Sequence, residues 1–163
     1  MNAPKRKPIP KSLRAEIHAK CGGRCAYCGV KITIREMQID HVTSLELYEA
    51  YTYHTDMEGT NPNCPENLLP ACRSCNHYKN TYTIEQFRTA IMNWPYVLAR
   101  DSVTYRNAVR FGLVVPKPHE VEFYFEQIGV DVPETLISPL HERHFKTKGA
   151  DPKCGRDLED SRG

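Results

Sequence analysis

The spacing of apolar residues changes period several times along this chain. Leu13 and Ile17, four apart, predict a helix over about 13–20, with Ser12 placed to cap it and Gly22-Gly23 to stop it. Met37-Gln-Ile-Asp-His-Val42 alternates instead and predicts a strand that carries Asp40 and His41 near its end. Leu68-Leu-Pro-Ala71 predicts a short second strand, placed at an edge or end by Pro70, and a helix then runs to about Lys79. Thr83-x-x-Gln86 forms a capping box for a further helix with Ile84, Phe87 and Ile91 on one face, ending before Pro95. Another helix follows from about Ser102 to Phe111, stopped by Gly112, and Val121–Glu126 alternates as a strand.

The stretches between these elements differ in character. Residues 1–9 are basic and broken by Pro4 and Pro8, an arm that orders on contact with a partner. Residues 44–66 are acidic and rich in tyrosine, with Gly59, Pro62 and Pro65; a connection of that length implies a functional loop or a cover. Beyond Pro139 few apolar anchors remain. The expected organisation is a basic arm at 1–11, one domain at 12–93, an extension at 94–130 packed on that core, and a disordered tail at 131–163.

Composition narrows the class. With 163 residues, one folded unit is expected, and no apolar stretch approaches the roughly 20 residues of a membrane helix, which predicts a soluble protein. Seven cysteines without an apolar signal-peptide core argue for metal thiolates in a reducing, cytoplasmic setting over a secreted disulfide framework. The net charge of +2 averages over uneven segments. Residues 1–24 hold Lys5, Arg6, Lys7, Lys11, Arg14, Lys20 and Arg24 against Glu16 alone, while 40–66 hold six acids and no Lys or Arg. That asymmetry suggests a polyanion approached from the amino-terminal side.

The chemistry is concentrated around two Cys-x-x-Cys pairs, Cys25/Cys28 and Cys72/Cys75. Four thiolates on two short turns can close a tetrahedral Zn²⁺ site, and Gly29 permits the positive φ that such turns commonly need. Closing it would gather Asp40, His41, Asn67 and Asn76 into a small volume. Cys21 and Cys64 could substitute in the sulfur shell but read more simply as packed or free thiols, and His54, His141 and His144 read as solvent-facing.

In order, Cys-x₂-Cys, Asp-His, Asn-Leu-Leu and Cys-x₂-Cys-Asn-x₂-Lys resembles the HNH endonuclease family of ββα-metal nucleases, in its variant with a cysteine-held zinc and Asn at the third signature position. The match covers roughly residues 20–80. Small stand-alone HNH proteins of bacteria and their phages also look like this, less specifically, from Thr83 to Glu126. The resemblance implies an α+β fold: a ββα-metal core stabilised by a four-cysteine zinc site, with an amino-terminal helix and a helical and strand extension.

Carried over residue by residue, the resemblance makes His41 the general base, Asp40 and Asn76 ligands of a catalytic Mg²⁺ or Mn²⁺, and Asn67 the residue that steadies the loop and the orientation of His41. The residue chemistry agrees: phosphodiester cleavage needs an activated water and a Lewis acid, and hard oxygen ligands suit Mg²⁺ or Mn²⁺ while sulfur suits Zn²⁺. Asn76 and Lys79, three apart on a helix, share a face, so Lys79 is expected to reach the phosphate; Asn80 lies on that face too. His77 points about 100° away and stands as the alternative third-position ligand.

The connection between His41 and Asn67 is longer and more acidic than in compact members of the family, and its acids (Glu46, Glu49, Asp56, Glu58) suggest a lid, a surface turned from the DNA, or contact with a partner protein. Two other classes compete with a DNA nuclease: a non-catalytic zinc module that binds nucleic acid through the basic arm, and a zinc-stabilised interaction domain using the Tyr-rich loop. A pure binding module needs the cysteines and the basic residues but has no use for Asp40, His41, Asn67 and Asn76 together.

Overall fold

The computed structural model describes residues 8–46, 61–117 and 119–132. Residues 1–7 of the arm expected at 1–11, residues 47–60 of the acidic loop and residues 133–163 of the tail expected at 131–163 lie outside the described residues, while Lys11 already belongs to a helix and Val132 is buried. The fold is α+β: helix α1 (Lys11–Lys20), strand β1 (Gln38–His41), a 3₁₀ turn (Pro65–Asn67), strand β2 (Leu68–Ala71) and helices α2 (Arg73–Lys79), α3 (Ile84–Asp101), α4 (Val103–Arg110) and α5 (Tyr124–Gln127).

Helix α1 begins at Lys11 with Pro10, not Ser12, at the cap; the ring of Pro10 holds φ at −59° without needing a bonded N–H. Leu13 and Ile17 are its buried residues, as their spacing predicts. Gly22 and Gly23 both take positive φ and turn the chain into the first cysteine pair.

Strands β1 and β2 are antiparallel, pairing Gln38 with Ala71, Ile39 with Pro70, Asp40 with Leu69 and His41 with Leu68. All of β2 is buried, because α1 packs on the sheet as well. Pro70 has no N–H for a ladder, and its carbonyl instead accepts from Ala26 N at 2.7 Å, joining the first cysteine turn to the sheet. Leu13, Ile17, Met37, Leu68, Leu69, Ile84 and Phe87 belong to the core that results.

Helix α3 has the expected capping box, with Gln86 N donating to Thr83 Oγ1 at 3.1 Å and Thr83 N to Gln86 Oε1 at 2.9 Å. It runs through Pro95 to Asp101 rather than stopping before it. A proline removes one helical hydrogen bond without ending the hydrophobic register, and α4 packs against the continuation, where Arg106 donates to the carbonyls of Ala99 and Arg100.

The alternation at Val121–Glu126 is not a strand. Phe123 and Phe125 are buried as alternation requires, but Tyr124–Gln127 forms a short helix. Glu126 accepts from Phe123 N at 2.7 Å, closing the turn locally, while Tyr124 N and Phe125 N donate to the carbonyls of Tyr27 and Ala26. The extension therefore returns to the core only at its end: Met92–Val115 is largely solvent-facing, whereas Phe123, Phe125 and Val132 are buried.

Candidate functional site

Two short turns bring four sulfurs together. The Cys25 turn closes with Cys25 N to Val30 O and Gly29 N to Cys25 O, both 2.9 Å. Gly29 sits at φ +70°, and a Cβ there would lie 3.1 Å from the Tyr124 ring, so both conformation and space call for glycine. Cys72 caps α2, with Cys75 N donating to Cys72 Sγ at 3.4 Å.

The ligand atoms of Cys25, Cys28, Cys72 and Cys75 all lie within 4.8 Å of one another, and Cys28 Sγ is 3.9 Å from Cys72 Sγ. A tetrahedral ion with Zn–S bonds of about 2.3 Å puts neighbouring sulfurs roughly 3.8 Å apart, so the cluster fits a zinc knuckle. The Cys75 thiol holds the Cys25 thiol down at about 5, helped by the amides of Cys28, Cys72 and Tyr27, while burial pushes Cys28 up to about 11. Sulfurs this close resist ionising together unless a cation lies between them, which is the chemistry of a metal centre. Cys21 is buried outside this set as a free thiol, and Cys64 does not belong to it either: it is disulfide-bonded, not the free thiol expected.

Beside that centre, the end of β1 opens into a cleft of about 290 Å³ lined by Asp40, His41, Asn76 and Asn80 among others. Asp40 and His41 reach it from adjacent positions because the strand ends at His41. Asn67 is fully buried behind them. Its Oδ1 accepts from Thr43 N at 2.8 Å, and its Nδ2 donates to Thr43 O at 3.2 Å and Pro62 O at 2.9 Å, tying the exit of β1 to the entry of β2. His77 is exposed, packs edge-on against Tyr78 and does not line the cleft.

Lys79 differs from expectation. It does share a face with Asn76, but α2 packs on β1, so that face is turned inward and Lys79 is fully buried. Its ammonium lies 3.0 Å from Asp40 Oδ2 and 3.3 Å from Oδ1, and it donates to His41 O at 2.9 Å. Lys79 is thus a counter-ion of Asp40 and is not placed to bind a phosphate at the surface. Tyr27 Oη also donates to Asp40 Oδ2, at 2.5 Å. Burial raises the Asp40 carboxyl above its ordinary range against the pull of Lys79 and Tyr27, and burial followed by the neighbouring Asp40 charge puts the Tyr27 phenol well above its own.

Tyr27 was not singled out in the sequence. Its ring packs edge-on to Phe87, Phe123 and Phe125 at 5.2–6.3 Å, so one side chain links the aromatic core to the cleft. An aromatic with a polar tip inside a Cys-x-x-Cys turn is a detectable signal, since a buried tyrosine hydroxyl needs a partner. Asn63 was also missed: its Oδ1 lies 2.9 Å from His41 Nε2. No sequence signal connects the two.

The basic amino-terminal set is in part structural. Arg14 donates to the carbonyls of Ile34 and Met37, Lys20 to those of Pro65 and Leu68, and Arg24 to that of Gly29. Those cations hold backbone.

No protein-family model and no curated protein matches the chain. Among solved structures, the Type II-C Cas9 enzyme from Actinomyces naeslundii is similar, at 21% identity and a TM-score of 0.39 over 53% of this chain and 9% of that one. No helix among the described residues is long and apolar enough to cross a membrane.

Proposed function

We propose that this chain is a metal-dependent endonuclease of the HNH type that hydrolyses DNA phosphodiester bonds. The observation that carries the proposal is the convergence of Asp40, His41 and Asn76 on one cleft beside a four-cysteine centre, in the order of the HNH signature. In this reading His41 accepts a proton from the attacking water, a task suited to an imidazole near neutral pH.

The oxygens of Asp40 and Asn76 are the hard donors that Mg²⁺ or Mn²⁺ requires. Tyr27 engages Asp40 Oδ2, so Oδ1, which among the described residues has only the longer Lys79 contact, is the oxygen that fits an ion in the cleft. Such an ion supplies the charge that stabilises the leaving oxygen. Tyr27 and Lys79 hold the carboxylate in position, and Asn67 holds the loop that follows His41. The zinc of the four-cysteine centre is structural.

The pairing of Lys79 with Asp40 also favours a second reading, a non-catalytic zinc module binding nucleic acid, because an acid already neutralised by a buried cation serves a structural purpose equally well. Plasmid DNA incubated with the zinc-loaded protein separates the two. Nicking or linearisation with Mg²⁺ or Mn²⁺, abolished by chelating the added ion, is the nuclease result. Binding without cutting on any DNA form is the module result.

A further inference from the structure

Helix α2 carries aromatic rings that neither the core nor the cleft uses. Asn76 lines the cleft, and each further residue of α2 turns about 100° round its axis. His77 is exposed and lies edge-on to Tyr78, with ring centroids 5.8 Å apart, and Tyr78 in turn meets Trp94 of α3 at 5.2 Å. Tyr78 is 55% exposed and Trp94 38%, so the pair bridges α2 and α3 without being covered. The three rings form a band that begins next to cleft-lining Asn76 and passes round α2 onto α3.

The charge along this band is one-sided. Between Asn67 and Arg100 the only acid is Glu85, and it is paired with Arg88. Exposed Arg73 stands three residues before Asn76 and four before His77, on the face they share. Open rings beside a cation suit a polyanion that also presents flat faces. In duplex DNA each base face is covered by its neighbours, whereas an unpaired base can stack on an aromatic side chain, whatever its sequence.

We propose that His77, Tyr78 and Trp94 form a stacking platform for unpaired DNA bases, with Arg73 on an adjoining phosphate. The substrate class that follows is DNA with an unpaired stretch next to the scissile phosphate, rather than continuous duplex. The cutting of such DNA rests on the nuclease reading; the stacking of its bases does not.

Trp94 is the chain's single tryptophan, so its fluorescence reports on the platform directly. The zinc-loaded full chain is titrated, without added Mg²⁺ or Mn²⁺, with a single-stranded oligonucleotide and with the same sequence as duplex. The single strand should quench Trp94 emission saturably, and the duplex should leave it nearly unchanged. Binding of the labelled oligonucleotides is then measured for Tyr78→Ala, Trp94→Ala and Trp94→Phe, with zinc content and melting checked for each. Single-strand affinity of the two alanine variants should fall by about 5- to 150-fold for each stacked base lost, with duplex affinity little altered and Trp94→Phe close to wild type. Arg73→Gln should lower the salt slope of single-strand binding by ~0.7.

Trp94 emission untouched at saturating single strand, or alanine variants that bind the single strand as wild type does or lose duplex binding equally, would overturn the proposal. An unchanged salt slope would remove Arg73 from it. Single-strand binding that depends on both rings, in a wild type that cuts no DNA form with Mg²⁺ or Mn²⁺, would uphold the platform while removing the nuclease reading. Cutting of gapped or single-stranded DNA by both alanine variants at the wild-type rate would remove the platform and leave the nuclease reading intact.

Discussion

Between Cys21 and Phe87 most of the described large apolar side chains are buried, and buried Lys79 pairs with Asp40 as buried Asn67 does with Thr43, whereas Met92, Tyr96, Leu98, Val103, Phe111, Leu113 and Val115 are all exposed. Helices in both regions are well capped: Thr83 begins α3, and Ser102 begins α4 by accepting from Tyr105 N at 3.1 Å. Local helix signals therefore do not tell the two apart. The first region is closed by long-range ties: a four-sulfur cluster, the Lys79–Asp40 pair and the aromatic contacts of Tyr27. In the second, α4 packs mainly against the later part of α3.

The contrast can be broken most forcefully at the sulfur cluster. Small zinc modules draw ~10–16 kcal/mol of apparent binding free energy from the metal, as much as or more than a whole domain's stability. Cys72→Ala is therefore expected to lose stoichiometric zinc and the cooperative melt of the 20–80 region, followed by metal analysis and thermal denaturation. A variant retaining both would remove the metal-centre assignment.

Lys79→Ala comes next, leaving Asp40 buried without its counter-ion, a change that costs about 3–5 kcal/mol in comparable pairs. Chemical denaturation should register that loss. The salt dependence of DNA binding should barely move, whereas a phosphate-binding lysine would lower its slope by ~0.9.

Tyr27→Phe keeps the ring packing and removes one donor to Asp40, so a loss of about 1–3 kcal/mol is expected in the same assay. At the small end, Phe111→Ser in the exposed arm should change stability by no more than about 0.5 kcal/mol. A drop as large as that of Tyr27→Phe would show that the arm's apolar face is covered in solution and would erase the contrast.

Much of the site was legible because its signals are local and ordered. The first Cys-x-x-Cys pair sits on a tight turn and the second opens α2, and β1 and β2 are recognisable from alternation and from Pro70. The inward turn of Lys79 was not legible. Spacing gave the shared face with Asn76, but only the packing of α2 on β1 decides that this face points at Asp40. Phe123 and Phe125 alternate as a strand would, yet the backbone there bonds the carbonyls of the first cysteine turn, and Glu126 closes a helical turn. The pairing of Asn63 with His41 spans 22 residues and depends on the path of the chain between them, which no periodicity encodes.

The central claim is that His41 generates the nucleophile in a metal-dependent cut, and one comparison reaches it directly. Zinc-loaded wild type and His41→Ala are assayed for plasmid cleavage across a Mg²⁺ and Mn²⁺ titration, with DNA affinity and zinc content measured in parallel. Wild type should cut only with added metal. His41→Ala should keep zinc and DNA affinity while losing about 10²–10⁴-fold in rate, a defect that extra metal does not repair. Cleavage by His41→Ala at the wild-type rate would contradict the account.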